Sequence, residues 1–371
     1  MALRVLITNI ELWPPSGTVI FVRDLALELQ RRGHSAAVFS STSGGVAEEL
    51  RDAGIEVIDR LERVSWTPDI IHGHHHAPTL IALRRWPSGP AIFVCHDHRS
   101  PDDRPPIHPS IRRYFGVSRV CVERLVADGV PEGRADLLLN FVDLVQFAPR
   151  EPLPAKPRRA LVFSNYANDD GYLPAVHAAC DTAGLELDAA GAGVGSIVRK
   201  PGQLFGQYDI VFAKAKAAME AMAVGTAVVL CDFDGVGPMV TTAEFDALRP
   251  LNFGHAALGN PLQPEALLRE INRYDATDAA LVRDRLRASA SLVAAAERLE
   301  QIYETVIEEH RHEEARHRVG TTARPSRRDS LFLRLYWSWR LQPPRRLAAL
   351  RRIPGVSVVI HAARRVLGQA G

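Results

Sequence analysis

The stretch Asp209-Ile-Val-Phe-Ala-Lys-Ala-Lys-Ala-Ala-Met-Glu-Ala-Met-Ala-Val-Gly-Thr-Ala-Val-Val-Leu-Cys231 decides the fold. Its two ends, Asp209–Phe212 and Ala227–Cys231, are short apolar runs that read as buried strands. Ala215–Ala223 between them reads as a helix, with a tight turn at Gly225. A strand, a helix and a second strand in such close succession form the unit of a parallel sheet covered by helices. The loop and helix start offer backbone N–H groups and a positive dipole end, which suit a diphosphate. Lys214 and Lys216 add charge at the same place. The chain has four lysines against 41 arginines, so two within three positions is a marked concentration. Glu220 falls inside the helix, where a carboxylate can accept hydrogen bonds from two sugar hydroxyls.

The same alternation extends toward the N-terminus. Leu3–Thr8 is a short apolar run, followed by a helical period over Thr18–Arg32 with apolar residues at Val19, Val22, Leu25, Ala26 and Leu29. Gly33 is placed to cap that helix. Further strand-like runs occur at Ala36–Ser40, Ile55–Ile58, Asp69–His72, Ala91–Cys95, Tyr114–Ser118 and Ala135–Leu139. Residues 148–159 hold four prolines in twelve positions, a stiff charged linker and the best domain boundary. The alternation restarts with strands at Ala160–Ser164 and Leu185–Ala189 around a helix near Leu173–Thr182. Helices at Glu265–Tyr274 and Leu292–Glu309 are expected to close the second domain.

The expected class is therefore α/β, with two Rossmann-like, doubly wound parallel-sheet domains at 1–147 and 160–310 and a ligand cleft between them. Residues 311–330 read as a polar tether, and 331–371 as a basic, aromatic tail.

Bulk properties agree with this partition. A chain of 371 residues exceeds what one core sustains, and 46% hydrophobic with 24% charged residues is ordinary for a globular protein. The net charge of +2 hides an asymmetry: residues 311–371 carry 14 arginines against three acidic residues, leaving the rest acidic. Cys95, Cys121, Cys180 and Cys231 show neither CxxC nor disulfide spacing, which fits reduced thiols in the cytoplasm. Met1 leads straight into a strand, which leaves no room for a secretory leader. No run of about 18 apolar residues suggests a transmembrane helix.

The segment "MEAMAVGTAVVLCD" resembles the signature of family 4 glycosyltransferases, retaining enzymes of GT-B architecture that use nucleotide-activated sugars. Other fragments agree in order: Ser16-Gly17-Thr18 opening the first helix, Arg32-Gly33-His34, Pro68-Asp-Ile-Ile-His-Gly-His74, Cys95-His96-Asp97, Val117-Ser118 and Asn140-Phe-Val-Asp143. The resemblance covers roughly residues 3–308. It implies that Glu220 binds the donor ribose, that His96 contacts the transferred sugar, and that the loop at Gly17 and Thr18 lies near the donor phosphates. Gly235 and Val236 are taken as further donor-binding positions. Lys214 and Lys216 are assigned, with His96, to the reacting centre, where they would stabilise the departing diphosphate.

The chain also departs from the family. Phe212 stands where the family has a second glutamate, eight residues before the first. Phe163-Ser-Asn-Tyr-Ala-Asn-Asp-Asp170 replaces the usual "GR…KG" pair.

Blander readings stand beside these. A glutamate in an amphipathic helix is ordinarily a solvated or capped side chain. The tract Gly73-His-His-His76, with His72, His96 and His98, invites a metal reading, but a strand sends neighbours to opposite faces and no second ligand pair has zinc-like spacing. Asp232-Phe-Asp234 is a literal DxD. Gly191-Ala-Gly-Val-Gly195 resembles a dinucleotide fingerprint, except that Ser196 occupies the third glycine position and Pro201 truncates any helix.

The expected activity is sugar transfer, hexosyltransferase-like, from a nucleotide diphosphate donor to a hydroxyl acceptor, with no metal and no cofactor. The acceptor expected is a lipid-linked or cell-envelope glycan, as in polysaccharide biosynthesis. The tail, with Phe332, Tyr336, Trp337 and Trp339, would hold the enzyme peripherally on the inner face of an anionic membrane; nucleic acid is not an expected partner. The rival readings are an epimerase or hydrolase on the same scaffold, or a catalytically impaired nucleotide-sugar-binding protein.

Overall fold

The computed structural model describes residues 2–42 and 44–317, with side chains as far as Glu313. The tail at 331–371 and its membrane role lie outside the described residues. The first half contains β1 (Arg4–Thr8), α1 (Gly17–Arg31), β2 (Ser35–Phe39), α2 (Gly45–Asp52), β3 (Glu56–Ile58), β4 (Ile70–His74), α3 (His76–Arg85), β5 (Ala91–Cys95), β6 (Ile111–Gly116), α4 (Arg119–Ala127) and β7 (Ala135–Leu137). Its strands pair in parallel in the order β3-β2-β1-β4-β5-β6-β7. The chain winds outward from β1 to β3, then restarts beside β1 with β4. That reversal opens a crevice beyond the C-terminal ends of β1 and β4.

The second half repeats the plan with β8 (Arg159–Phe163), α5 (Leu173–Ala183), β9 (Glu186–Ala190), α6 (Pro201–Phe205), β10 (Ile210–Ala213), α7 (Ala215–Val224), β11 (Ala227–Asp232) and β12 (Gly235–Met239). The helices α8 (Phe245–Leu248), α9 (Pro264–Ile271), α10 (Ala276–Ser289) and α11 (Leu292–His317) follow. The strand order is β12-β11-β10-β8-β9, with only the edge strand β12 antiparallel among the described strands. Here the reversal lies between β8 and β10. The architecture is thus the expected pair of doubly wound α/β domains.

The last helix corrects the expectation twice. It continues to His317, so residues 311–317 are helix rather than tether. It also leaves the second domain: Leu292, Leu299, Tyr303, Val306 and Ile307 are buried in the core built by β1, β4 and β5. The spacing of these residues is a helical stripe. Their acidic flank completes the match, because Glu300 meets Arg32 at 2.6 Å and Glu313 meets Arg112 at 2.5 Å, while Glu309 pairs with Arg113.

The chain therefore crosses between the domains twice, and the crossings touch. Val142 N–H donates to Ala290 O at 2.7 Å, and Leu292 N–H donates to Val142 O at 3.0 Å. Val142 and Ser291 form a parallel bridge at that point.

Candidate functional site

The two sheet reversals place α1 and α7 start to start. Ser16 caps α1, its Oγ accepting from Val19 N–H at 3.4 Å. Gly17 is the first helical residue and is exposed. A Cβ built on Gly17 would lie 3.9 Å from Lys216 Cβ, so the first turns of the two helices are neighbours. Ala215 enters α7 with a φ of +50°, a conformation L-residues rarely adopt, and its N–H donates to Phe253 O at 2.7 Å. Two helix N-termini converging on one cleft make a surface suited to an anion. Asn165, after β8, spans the same cleft: its Nδ2 donates to Pro15 O at 2.7 Å, and its Oδ1 accepts from Ala192 N–H at 3.0 Å.

Lys216 is not placed as expected. It is buried, with its ammonium 3.1 Å from Asp24 of α1, 3.2 Å from Glu220 one turn along α7, and 3.1 Å from Phe141 O. The ammonium donates to the Phe141 carbonyl and lies within ion-pair range of Asp24 and Glu220, so its charge is committed to the protein rather than to the open cleft. Arg23 adds a second cation, 2.7 Å from Asp24. Burial works against charge on Lys216, but Asp24 and Glu220 outweigh it and raise its pKa. Glu220 is also buried; burial raises its pKa, while Lys216 opposes the shift. The reading of Glu220 as a carboxylate ready for ribose hydroxyls therefore meets a group already tied to Lys216. Together these residues form an ionic seam between the domains.

Lys214 lies differently, half-buried at the N-cap of α7. Its ammonium is 2.8 Å from Asp232 Oδ2 and 2.6 Å from His255 Nε2. His255 Nδ1 lies 2.7 Å from Asp234 Oδ2, and the same oxygen accepts from Arg99 Nη1 at 2.6 Å. This chain of contacts runs from the second domain to the first. Burial lowers the His255 pKa and Lys214 lowers it further, outweighing the opposing pull of Asp234, which favours the neutral ring. Two exposed rings, Tyr166 and Phe233, meet edge to face at 5.2 Å and flank Lys214 at 5.6 and 5.9 Å. The DxD pair, Asp232 and Asp234, is thus held by protein cations.

On the first domain, His96 follows β5. Its N–H donates to Asp103 Oδ1 at 2.6 Å, and its Nε2 lies 2.7 Å from His74 Nδ1. Phe21 of α1 sets its ring edge-on to His74 and His96, at 5.3 and 5.0 Å. His72 stacks on His74 at 4.5 Å and contacts Tyr303 Oη at 2.5 Å. Burial pulls His72 down to about 3 and holds His74 and His96 well below the ordinary imidazole value. Burial also pushes the Asp103 carboxyl up to about 7. The array is an apolar-packed stack of neutral rings, and among the described residues no group of three or more His, Cys, Asp or Glu is arranged to hold a metal ion.

Other expected positions scatter. Thr18 sits beside Gly17 in the first turn of α1 and is half-buried. Gly235 and Val236 begin β12; the Val236 side chain is buried, and its backbone N–H and C=O are both bonded to Asn260 at 2.9 Å. Neither group of Val236 remains for a donor. Phe212 is wholly buried in β10, so no polar group reaches the cleft from that position. Gly191 is a loop residue paired with Ser196, and a Cβ there would sit 2.0 Å from Ser164 O. Asp24, Arg99, Asn165 and His255 escaped the sequence reading. Only the i,i+4 spacing of Lys216 and Glu220 offered a local signal.

This fold, with its cleft between the C-terminal ends of two doubly wound sheets, is the GT-B architecture. Residues 15–146 match the model of Glycosyltransferase Family 4. No curated protein matches the chain by sequence. Among solved structures, Anabaena HepE in complex with UDP and glucose superposes with a TM-score of 0.58 at 14% identity, covering 82% of this chain and 100% of that one. Sucrose-phosphate synthase from Thermosynechococcus elongatus gives 0.55 at 14% identity, covering 83% and 100%. A protein described as a UDP-N-acetylglucosamine 2-epimerase, from Listeria monocytogenes, gives 0.50 at 14% identity, covering 88% and 99%. At these identities the likeness is one of fold. A synthase and an epimerase share it, so the fold alone does not assign the chemistry.

Proposed function

We propose that this protein is a retaining glycosyltransferase that moves a sugar from a nucleoside diphosphate donor to a hydroxyl acceptor, without a metal ion. The observation that carries the reading is the meeting of the α1 and α7 N-termini at Gly17 and Lys216, with Lys214 at the cleft edge. Such a site stabilises the charge that develops on a departing diphosphate. Lys214 is the cation assigned to that role. Lys216 is reassigned to the seam that joins the domains, and Glu220 acts with it there. His96, on the opposite wall, is the group nearest the transferred sugar in this assignment. The match of the first domain to Glycosyltransferase Family 4, and UDP and UDP-glucose bound in the structural neighbour HepE, support a nucleotide-sugar donor.

The test is incubation with UDP-, GDP- and ADP-sugars, with and without a panel of hydroxyl acceptors, followed by mass spectrometry. Acceptor-dependent release of nucleoside diphosphate with a glycosylated product is expected. Release of free sugar without acceptor would instead show a hydrolase, and an isomerised donor an epimerase. On the acceptor side, the 14 arginines of residues 311–371 and the rings of Phe332, Tyr336, Trp337 and Trp339 support a lipid-linked glycan at an anionic membrane. Among the described residues no helix is long and apolar enough to cross a membrane. Co-sedimentation with phosphatidylserine vesicles at low salt, lost in a chain ending at His317, is the expected result. A full-length chain that stays in the supernatant would refute it.

A further inference from the structure

We infer that the diphosphate is held by a cation pair drawn from both domains, Lys214 from the second and Arg99 from the first, and that Asp232 and Asp234 hold these cations until it binds. The inference rests on the donor-site reading and deepens it. The residues after β8 are Ser164-Asn165-Tyr166, which bring no cation to the cleft. Lys216 is buried, donating to the Phe141 carbonyl and paired in charge with Asp24 and Glu220. The charge must come from elsewhere, and the chain of contacts at the cleft mouth supplies it.

Four charged groups and one imidazole are linked there at 2.6–2.8 Å: Arg99, Asp234, His255, Lys214 and Asp232. Two cations are balanced in charge by two carboxylates, while Asp232 Oδ2 and His255 Nδ1 are buried without a hydrogen-bond partner of good geometry. The cations are nevertheless accessible, unlike Lys216. The Arg99 side chain is 53% exposed and that of Lys214 18%, against 3% for Lys216. Arg99 is close enough to His255 to disfavour its protonation, as Lys214 does, so both cations act on one small region. The neutral ring accepts from Lys214 at Nε2 and turns Nδ1 toward Asp234, bridging the two ion pairs.

A diphosphate entering at the α7 N-terminus offers each cation a stronger acceptor than a single carboxylate. A guanidinium in particular can bind two phosphate oxygens at once. Arg99 lies three residues beyond His96 on the same loop. Exchange of Asp234 for phosphate would draw that loop, and His96 with it, toward the donor. The chain of contacts thus serves as a placeholder for the ligand's own charge.

A simple latch between the domains would show the same resting contacts, and the experiment separates the two ideas by sign. Calorimetry is run on the full chain with UDP, GDP and ADP and with the matching nucleosides, for wild type, Arg99→Ala and Asp234→Asn. Arg99→Ala should weaken binding of the preferred diphosphate by about tenfold or more, the worth of one charge-assisted bond, and leave the nucleoside unchanged. Asp234→Asn removes the competitor and should tighten diphosphate binding several-fold. Equal weakening of diphosphate and nucleoside by both variants would mark a latch and overturn the inference. Unchanged diphosphate affinity in Arg99→Ala would also overturn it. Absence of any nucleotide binding by the wild type would remove the donor-site reading itself.

Discussion

Lys214 and Lys216 stand two residues apart, the first against Asp232 and His255, the second between Asp24 and Glu220, and yet they belong to different kinds of site. Around Lys216 the ionic cluster is dry, packed between α1 and α7 and closed by the Phe141 carbonyl. Around Lys214 it is wet, bordered by the exposed rings of Tyr166 and Phe233 and continuing to the half-exposed Arg99. The turn at Ala215, with its positive φ, separates them by sending consecutive lysines to opposite sides of the helix start. A buried ion pair exchanges partners only at the cost of leaving a charge unpaired in a low-dielectric interior. The Arg99–Asp234 pair, whose guanidinium is half-exposed, can exchange through water. The same residue type thus holds the domains together in one place and remains available to a ligand in the other.

The comparison is broken most directly by removing each ammonium in turn. Lys216→Ala leaves Asp24 and Glu220 facing each other without their shared cation and should cost about 3–5 kcal/mol of stability. Lys214→Ala should cost about 1–2 kcal/mol, because Ser164 Oγ still donates to Asp232 at 3.3 Å and the ammonium removed is itself partly exposed. Urea denaturation of both variants reads the difference, and equal losses would erase the distinction between seam and mouth.

Acid sharpens the same contrast with imidazoles in place of ammonium groups. His72 and His74 stay neutral in the folded chain, His72 down to about 3. In the unfolded chain they take a proton below about 6.5. The unfolded state then binds more protons, so stability must fall as pH falls, by up to about 1.4 kcal/mol per pH unit for each ring. The loss begins near the unfolded value and, for His72, continues to about 3. Denaturation midpoints measured from about pH 7 to pH 5 should show this slope, and His72→Gln should remove one ring's share. A slope unchanged by that substitution would mean that His72 is not held neutral.

Much of the fold was legible because buried parallel strands are short apolar runs. Ala91–Cys95 coincides with β5, and Leu3–Thr8, Ala160–Ser164 and Ala227–Cys231 fall within a residue of β1, β8 and β11 at each end. The helix α3 escaped because its first turn is His76-Ala-Pro78, a histidine run and a proline rather than a period. The destination of α11 was misread because nothing local says which domain its stripe covers; that depends on Arg32, Arg112 and Arg113, some 200 or more residues away. The site divides in the same way. Lys214, Lys216 and Glu220 stood out by spacing, but their roles depend on Asp24, Asp232 and His255, and no sequence window contains all of them. Sequence shows where charge is concentrated, while its solvation is a property of the assembled domains.

The paired crossing at Val142 and Ser291 has a mechanical consequence. Because the chain leaves the first domain near Val142 and returns to it at Leu292, the second domain is held at both of its ends. The two crossing segments are bonded side by side, so they act as one pivot rather than two separate tethers. Relative motion of the domains is then confined to swinging about that line, with sliding and separation suppressed. A protease cut in the proline-rich stretch at 148–158 would leave the halves attached through the other crossing. Any opening of the cleft would turn on this line, a spine stitched twice at the same fold.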